Sequence, residues 1–263
     1  MQKLSTHGII WLFVAVMISL NGLPSLTQSE LDPNLRIAYV SNRRGNEDIY
    51  LMTQNGEDDP IANLTSHPAR DWSPVWSPQG DKIMFSSNRD GRDTLYIMNA
   101  DGTDPEPIFE DETFNDYDAS WSPDGSKIAF VSDRLGTGRE LFTANSDGTD
   151  VISLVEFTNE TTLKGDPIWS PDGQEIAFWE LQNNGEIHLY RLTLDGGLIQ
   201  LLTDRGPYNG SPAWVNDVIY FDTNREGLWY IYRMADNGDF PQGISTSGVN
   251  SGRVSVSPDG SRL

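Results

Sequence analysis

The chain contains no cysteine in 263 residues, which excludes disulfides, thiolate metal centres and a lipid-modified cysteine. Histidine is nearly absent as well. His7, His67 and His188 share no local metal-ligand spacing, and His188 alternates with Ile187 and Leu189 like a tolerated residue at a strand edge. No G-x-S-x-G nucleophile elbow occurs. No catalytic residue, metal or cofactor is therefore expected. Cations are scarce: 18 Lys and Arg stand against 39 Asp and Glu, a net charge of −21. The acids are spread along the chain, so nucleic-acid phosphates and anionic membranes are repelled, while solubility or basic partners are favoured.

A different stretch opens the chain. Met1-Gln2-Lys3 leads into an apolar run from Ile9 to Leu20, followed by SLTQS at 25–29, with no acid and no further Lys or Arg before Glu30. This reads as a secretory signal peptide over 1–29, or as an uncleaved anchor if the apolar run is extended through Leu26. Residues 30–263 form the exported body, in a periplasmic or extracellular compartment. No other contact with a membrane is expected.

What the body has in abundance is repetition. WSPQG at 76–80 recurs as WSPDG at 121–125 and 169–173, as WVND at 214–217 and as VSPDG at 256–260. Further columns run in step: IAY 37–39, IMF 83–85, IAF 128–130, IAF 176–178 and VIY 218–220, then DIYLM, TLYIM, ELFTA, IHLYR and LWYIY, then an Asn-Gly or Asp-Gly pair. Each unit converts to four antiparallel strands. Strand A ends in Trp, Pro-Asp-Gly makes a type I turn, B and C are apolar strands, and D is weak after an Asx-Gly hairpin. Gly 24, Pro 15 and 10% aromatics suit such short strands and tight turns. A period of about 40–45 residues is that of a propeller blade. The fold class is all-β, a β-propeller with five blades visible, and the repeated tryptophans belong between the sheets. The carboxylates of NADGTD (99–104) and NSDGTD (145–150) fall where hairpin turns demand Asn, Asp and Gly, so turn chemistry explains them better than calcium.

The pattern WSPDGxxIAF…S-x-R-x-G…DG resembles the TolB-like β-propeller repeat, shared with the propellers of prolyl-oligopeptidase-type peptidases. The resemblance covers about residues 35–263 and implies a six-bladed ring. The chain enters at strand B (35–41) and ends inside a hairpin, so a truncated ring with an incomplete C-terminus is expected. The alternative is closure of a five-bladed ring, with 251–260 as the missing strand A. The bacterial TolB protein carries an α/β domain before its propeller. No room for it is expected here, which puts recruitment of Tol partners through that domain in doubt.

The B–C and D–A loops should emerge on one face around the channel mouth. Four of the five B–C loops place an arginine at the same point: Arg43, Arg89, Arg134 and Arg225. The D–A segments add Asp71, Trp72, Asp116, Tyr117, Asp166 and Tyr208. Arginine, aromatic and carboxylate groups around a concavity suit a peptide or protein partner. The competing reading is that each arginine braces its turn against an acid of the adjacent blade, Arg89 on Asp116 for example. The function expected is non-enzymatic binding of a peptide or protein; the oligomeric state is left open. The alternatives are a truncated N-terminal propeller of a prolyl-oligopeptidase-type serine peptidase and a sugar-binding or lyase propeller.

Overall fold

The computed structural model describes residues 36–53, 58–110, 113–136, 138–154, 163–195, 197–245 and 254–257. The expected signal segment lies outside them. Among the described residues every regular element is a strand, and none is a helix long and apolar enough to cross a membrane.

The described residues form nineteen strands in five antiparallel sheets in chain order. Blade 1 holds β1 (Arg36–Ser41), β2 (Asp48–Thr53) and β3 (Asp58–Asn63). Blade 2 holds β4 (Asp71–Trp76), β5 (Lys82–Ser87), β6 (Thr94–Asn99) and β7 (Glu106–Pro107). Blade 3 holds β8 (Asp116–Trp121), β9 (Lys127–Ser132), β10 (Glu140–Asn145) and β11 (Ile152–Ser153). Blade 4 holds β12 (Lys164–Trp169), β13 (Glu175–Leu181), β14 (Ile187–Thr193) and β15 (Ile199–Leu201). Blade 5 holds β16 (Asn209–Val215), β17 (Val218–Thr223), β18 (Tyr230–Ala235) and β19 (Gln242–Gly243). The sheets are the blades of a propeller. β4, β8, β12 and β16 are the innermost strands, each packed against its neighbour. The expected closing strand A at 251–260 is described only at 254–257, which adopt no strand.

The A–B turns form as their sequence demands. Gly80, Gly125 and Gly173 donate their N–H to the carbonyls of Ser77, Ser122 and Ser170 at 2.9 Å, with each glycine in the left-handed region. Strands B and C alternate apolar residues toward both neighbouring blades, and the core is a series of layers between sheets. Ile49, Leu51, Ile83, Phe85 and Met98 fill the layer between blades 1 and 2. Met84, Leu95, Ile128, Phe130 and Phe142 fill the next. The repeated tryptophans lie in or against these layers: Trp169 and Trp214 are buried, and Trp121 Nε1 donates to the Val75 carbonyl of the preceding blade at 3.4 Å. Burial of such a side chain contributes about 1.5–3 kcal/mol.

Candidate functional site

Each innermost strand carries a β-bulge at the same level. The breaks in register fall between Trp72 and Val75, Tyr117 and Ser120, Gly165 and Ile168, and Gly210 and Ala213. In all four, the first residue inside the bulge is a non-glycine in the left-handed region: Ser73 (φ 50), Asp118 (φ 34), Asp166 (φ 45) and Ser211 (φ 46). A bulge re-aims side chains, and such a backbone is strained for residues other than glycine. Here it sets polar groups across the gap between adjacent inner strands. Ser73 Oγ donates to Asp118 Oδ1 at 3.4 Å, from β4 to β8, and Ser211 Oγ donates to Asp166 Oδ2 at 3.3 Å, from β16 to β12. Trp179 Nε1 also donates to Asp166 Oδ2, at 3.1 Å.

Immediately before each bulge residue stands an aromatic ring or a glycine. Blades 2 and 3 place Trp72 and Tyr117 there. Blades 4 and 5 have Gly165 and Gly210, and a side chain at either position would collide with the rings of Trp179 and Tyr208 respectively. The same place in four blades is thus held by an aromatic ring drawn from three parts of the repeat. Trp72 and Tyr117 come from strand A, Trp179 from strand B and Tyr208 from the D–A loop. Arg139 stacks over Tyr117 at 3.8 Å and Arg70 over Trp72 at 4.4 Å, while Trp229 meets Tyr208 edge-on at 4.6 Å. Burial raises the Tyr117 hydroxyl above its ordinary range, with Arg139 opposing.

The arginine column sits differently. Arg89 and Arg134 each bond Ser87 and Ser132, at the end of their own strand B, through Nε at 2.9 Å. Their Nη2 atoms reach Asp71 at 3.0 Å and Asp116 at 2.8 Å, both at the start of their own strand A. Arg225 repeats this with Thr223 and Asn209, and Arg43 bonds Ser41 and the Tyr39 hydroxyl. Each guanidinium also lies over aromatic rings of strands B and C, as Arg89 does over Phe85 and Tyr96 and Arg225 over Phe221 and Tyr232. The pairing of Arg89 with Asp116 does not form. The brace closes within one blade, because antiparallel pairing already sets Asp71 opposite Ser87 and Asp116 opposite Ser132. Burial raises the Asp116 carboxyl against the pull of Ser132 and Arg134, and burial lowers Arg225 below the ordinary guanidinium range.

Blade 4 lacks the arginine and rewrites the bracket. Lys164 takes the strand-A position, fully buried, with its Nζ 2.7 Å from Glu140 of blade 3 and 3.9 Å from Glu180 of its own strand B. The neighbouring His188 is no edge residue. Strand β14 runs between β13 and β15, and the buried imidazole contacts Glu186 at 3.3 Å and Asn209 at 3.4 Å. Above blade 2 a cleft of about 550 Å³ is lined by His67, Asn88, Arg89, Arg92, Asp93 and Asn115. Burial raises Asp93 there, with Arg139 and Arg70 opposing.

Of the residues expected at the mouth, Trp72, Tyr117 and Asp166 take equivalent places at the bulges of three inner strands, and Tyr208 lies against Gly210 at the fourth. Asp71, Asp116, Arg89, Arg134 and Arg225 lie in the within-blade braces, and Arg43 bonds Ser41 and Tyr39 of β1 and lies over Tyr50 of β2. Trp179 and the bulge serines went unread. The glycines at 165 and 210, standing where two other blades hold rings, were the available signal.

The TolB beta propeller domain matches residues 36–163 and 153–263. The chain belongs to the TolB β-propeller family. Among solved structures it is similar to TolB from Acinetobacter baumannii, at TM-score 0.71 and 21% identity over 87% of this chain and 57% of that one. Putative TolB from Agrobacterium tumefaciens matches at 0.70 and 18%, over 88% and 89%. A puromycin hydrolase matches at 0.57 and 16%, over 82% of this chain and 37% of the hydrolase. These likenesses establish the fold of the TolB-like propeller. No curated protein matches the chain.

Proposed function

We propose that this chain is an exported, non-enzymatic TolB-like propeller that holds a peptide segment or protein partner at its channel mouth. The observation that carries the reading is the aromatic collar of Trp72, Tyr117, Trp179 and Tyr208. Rings from unlike sequence positions occupy the equivalent place beside the bulge in four blades, and rigid aromatic side chains are what anchor partners. On the loops outside the collar, Leu135, Leu163 and Leu228 are 50%, 39% and 47% exposed, adding apolar surface. Export is supported by the Lys3-to-Leu20 pattern of the N-terminus.

Selection of displayed random dodecapeptides on the mature protein tests the mouth. Selected peptides should lose about tenfold or more in affinity on Tyr208→Ala or Tyr117→Ala. Ile152→Ser, on the outermost strand of blade 3, should leave binding unchanged. Equal loss in all three, or none in the first two, would remove the collar from consideration. For export, a reporter active only outside the cytoplasm, fused after residue 34, should be active and should fall silent with Val14→Asp and Val16→Asp. The peptidase-propeller reading has fold likeness alone behind it, and it requires a G-x-S-x-G hydrolase sequence downstream of Leu263 in the gene.

A further inference from the structure

At the bulge of the innermost strand of blade 4 the Asp166 carboxylate is met by neutral donors, Trp179 Nε1 at 3.1 Å and Ser211 Oγ at 3.3 Å, and no ion pair reaches it among the described residues. We propose that the collar and this carboxylate together form a subsite for a cationic side chain, lysine or arginine, of the bound peptide. The inference rests on the peptide-binding reading and gives it a ligand chemistry.

Three observations converge. First, the rings at this level already accept cations: Arg139 and Arg70 lie over Tyr117 and Trp72 at 3.8 and 4.4 Å. A desolvated aromatic face attracts a cation through its quadrupole, and Trp179 is a ring of the same chemistry beside the bulge of blade 4. Second, Trp179 joins both parts of the site, since one ring fills the space over Gly165 and donates to Asp166. An entering ammonium or guanidinium group would therefore find ring and carboxylate side by side. Third, the alternatives fit less well. An anionic side chain would meet Asp166 in a molecule of net charge −21. An apolar one would desolvate that carboxylate with no compensating charge.

Asp166→Asn is a mild probe. Asparagine tolerates the left-handed backbone at this bulge, and its carbonyl oxygen still accepts the Trp179 and Ser211 hydrogens. Random dodecapeptides are selected on the wild type and on Asp166→Asn, and a wild-type consensus peptide is titrated by calorimetry beside versions with its basic residue changed to norleucine or exchanged between lysine and arginine. Wild-type peptides should share a basic residue. Asp166→Asn should bind the basic peptide at least tenfold more weakly yet bind the norleucine peptide as the wild type does. The lysine–arginine exchange should cost less affinity than the norleucine change, and an equal loss would overturn a subsite that recognises charge. Peptides that compete at the collar but share no basic residue, or an unchanged affinity in Asp166→Asn, would overturn the subsite and leave the mouth standing. Failure to select any collar-dependent peptide on either protein overturns the peptide reading and this inference with it.

Discussion

At the scale of single residues the turns set hard constraints. Gly148 lies in the left-handed region (φ 83), and a Cβ there would run into the Ile108 carbonyl oxygen of the preceding blade. Gly91 has the same backbone (φ 84) with open space around it. The pair separates two costs. Gly91→Ala should destabilise by about 1 kcal/mol from conformation alone, whereas Gly148→Ala adds a backbone collision and should cost about 3 kcal/mol or more. Urea melts showing equal losses would mean that blade contact at Gly148 is not tight. Tyr96 supplies a pH prediction. Burial, together with its hydrogen bond to Asp90, pushes its hydroxyl up to about 12 from an ordinary 10.0. A raised folded-state value favours the protonated form in the native protein. Its stabilisation is therefore complete below pH 10 and is lost as pH climbs through about 12. Spectrophotometric titration should show a last phenolate step near that pH, absent in Tyr96→Phe.

The next scale up is the blade. Its arginine brace is worth testing because Asp116 is buried and already costly to keep charged. Arg134→Met should destabilise by about 3 kcal/mol, since it strands the carboxylate, and adding Asp116→Asn should recover much of that loss. Additive losses in thermal melts would show that the two groups do not act as a pair. The B and C strands and the A–B turns were legible in the sequence because period-two apolar runs and Ser-Pro-Asp-Gly act locally. Strand D was barely legible, since in blades 2 to 5 it pairs over only two or three residues. The arginine column was easy to see because blades 2, 3 and 5 use it in the same brace. Regular repetition marks architecture. The collar was only half legible for the opposite reason. Trp179 belongs to another column than Trp72, and only the strand pairing of Gly165 with Trp179 brings it into place. The pairing of Lys164 with Glu140 was hidden likewise, because Glu140 comes from the neighbouring blade and no within-repeat comparison pairs them.

Across the whole molecule two kinds of electrostatics act, and they respond differently to salt. The surplus of acids, a net −21, opposes compactness by self-repulsion, and salt screens it over roughly 10 Å or less at ordinary ionic strength. Raising NaCl from about 20 mM to about 300 mM should therefore increase the melting temperature by a few degrees. The seam between blades 3 and 4 is another matter. Lys164 and Glu140 are both buried at 2.7 Å, where mobile ions do not penetrate. Lys164→Met would leave Glu140 charged in the interior beside Glu180, whose carboxyl burial already raises. A loss of about 3–5 kcal/mol is expected, and Lys164→Met with Glu140→Leu should restore a good part of it. The decisive comparison is the size of that loss at the two salt concentrations. If the seam pair is as enclosed as its geometry indicates, wild type and Lys164→Met should shift in parallel as salt is raised, and the gap between them should stay constant. A gap that closes with salt would mean that water and ions reach the seam. The blades would then be held there by the Val131, Leu141, Phe178 and Leu192 layer and not by the ion pair.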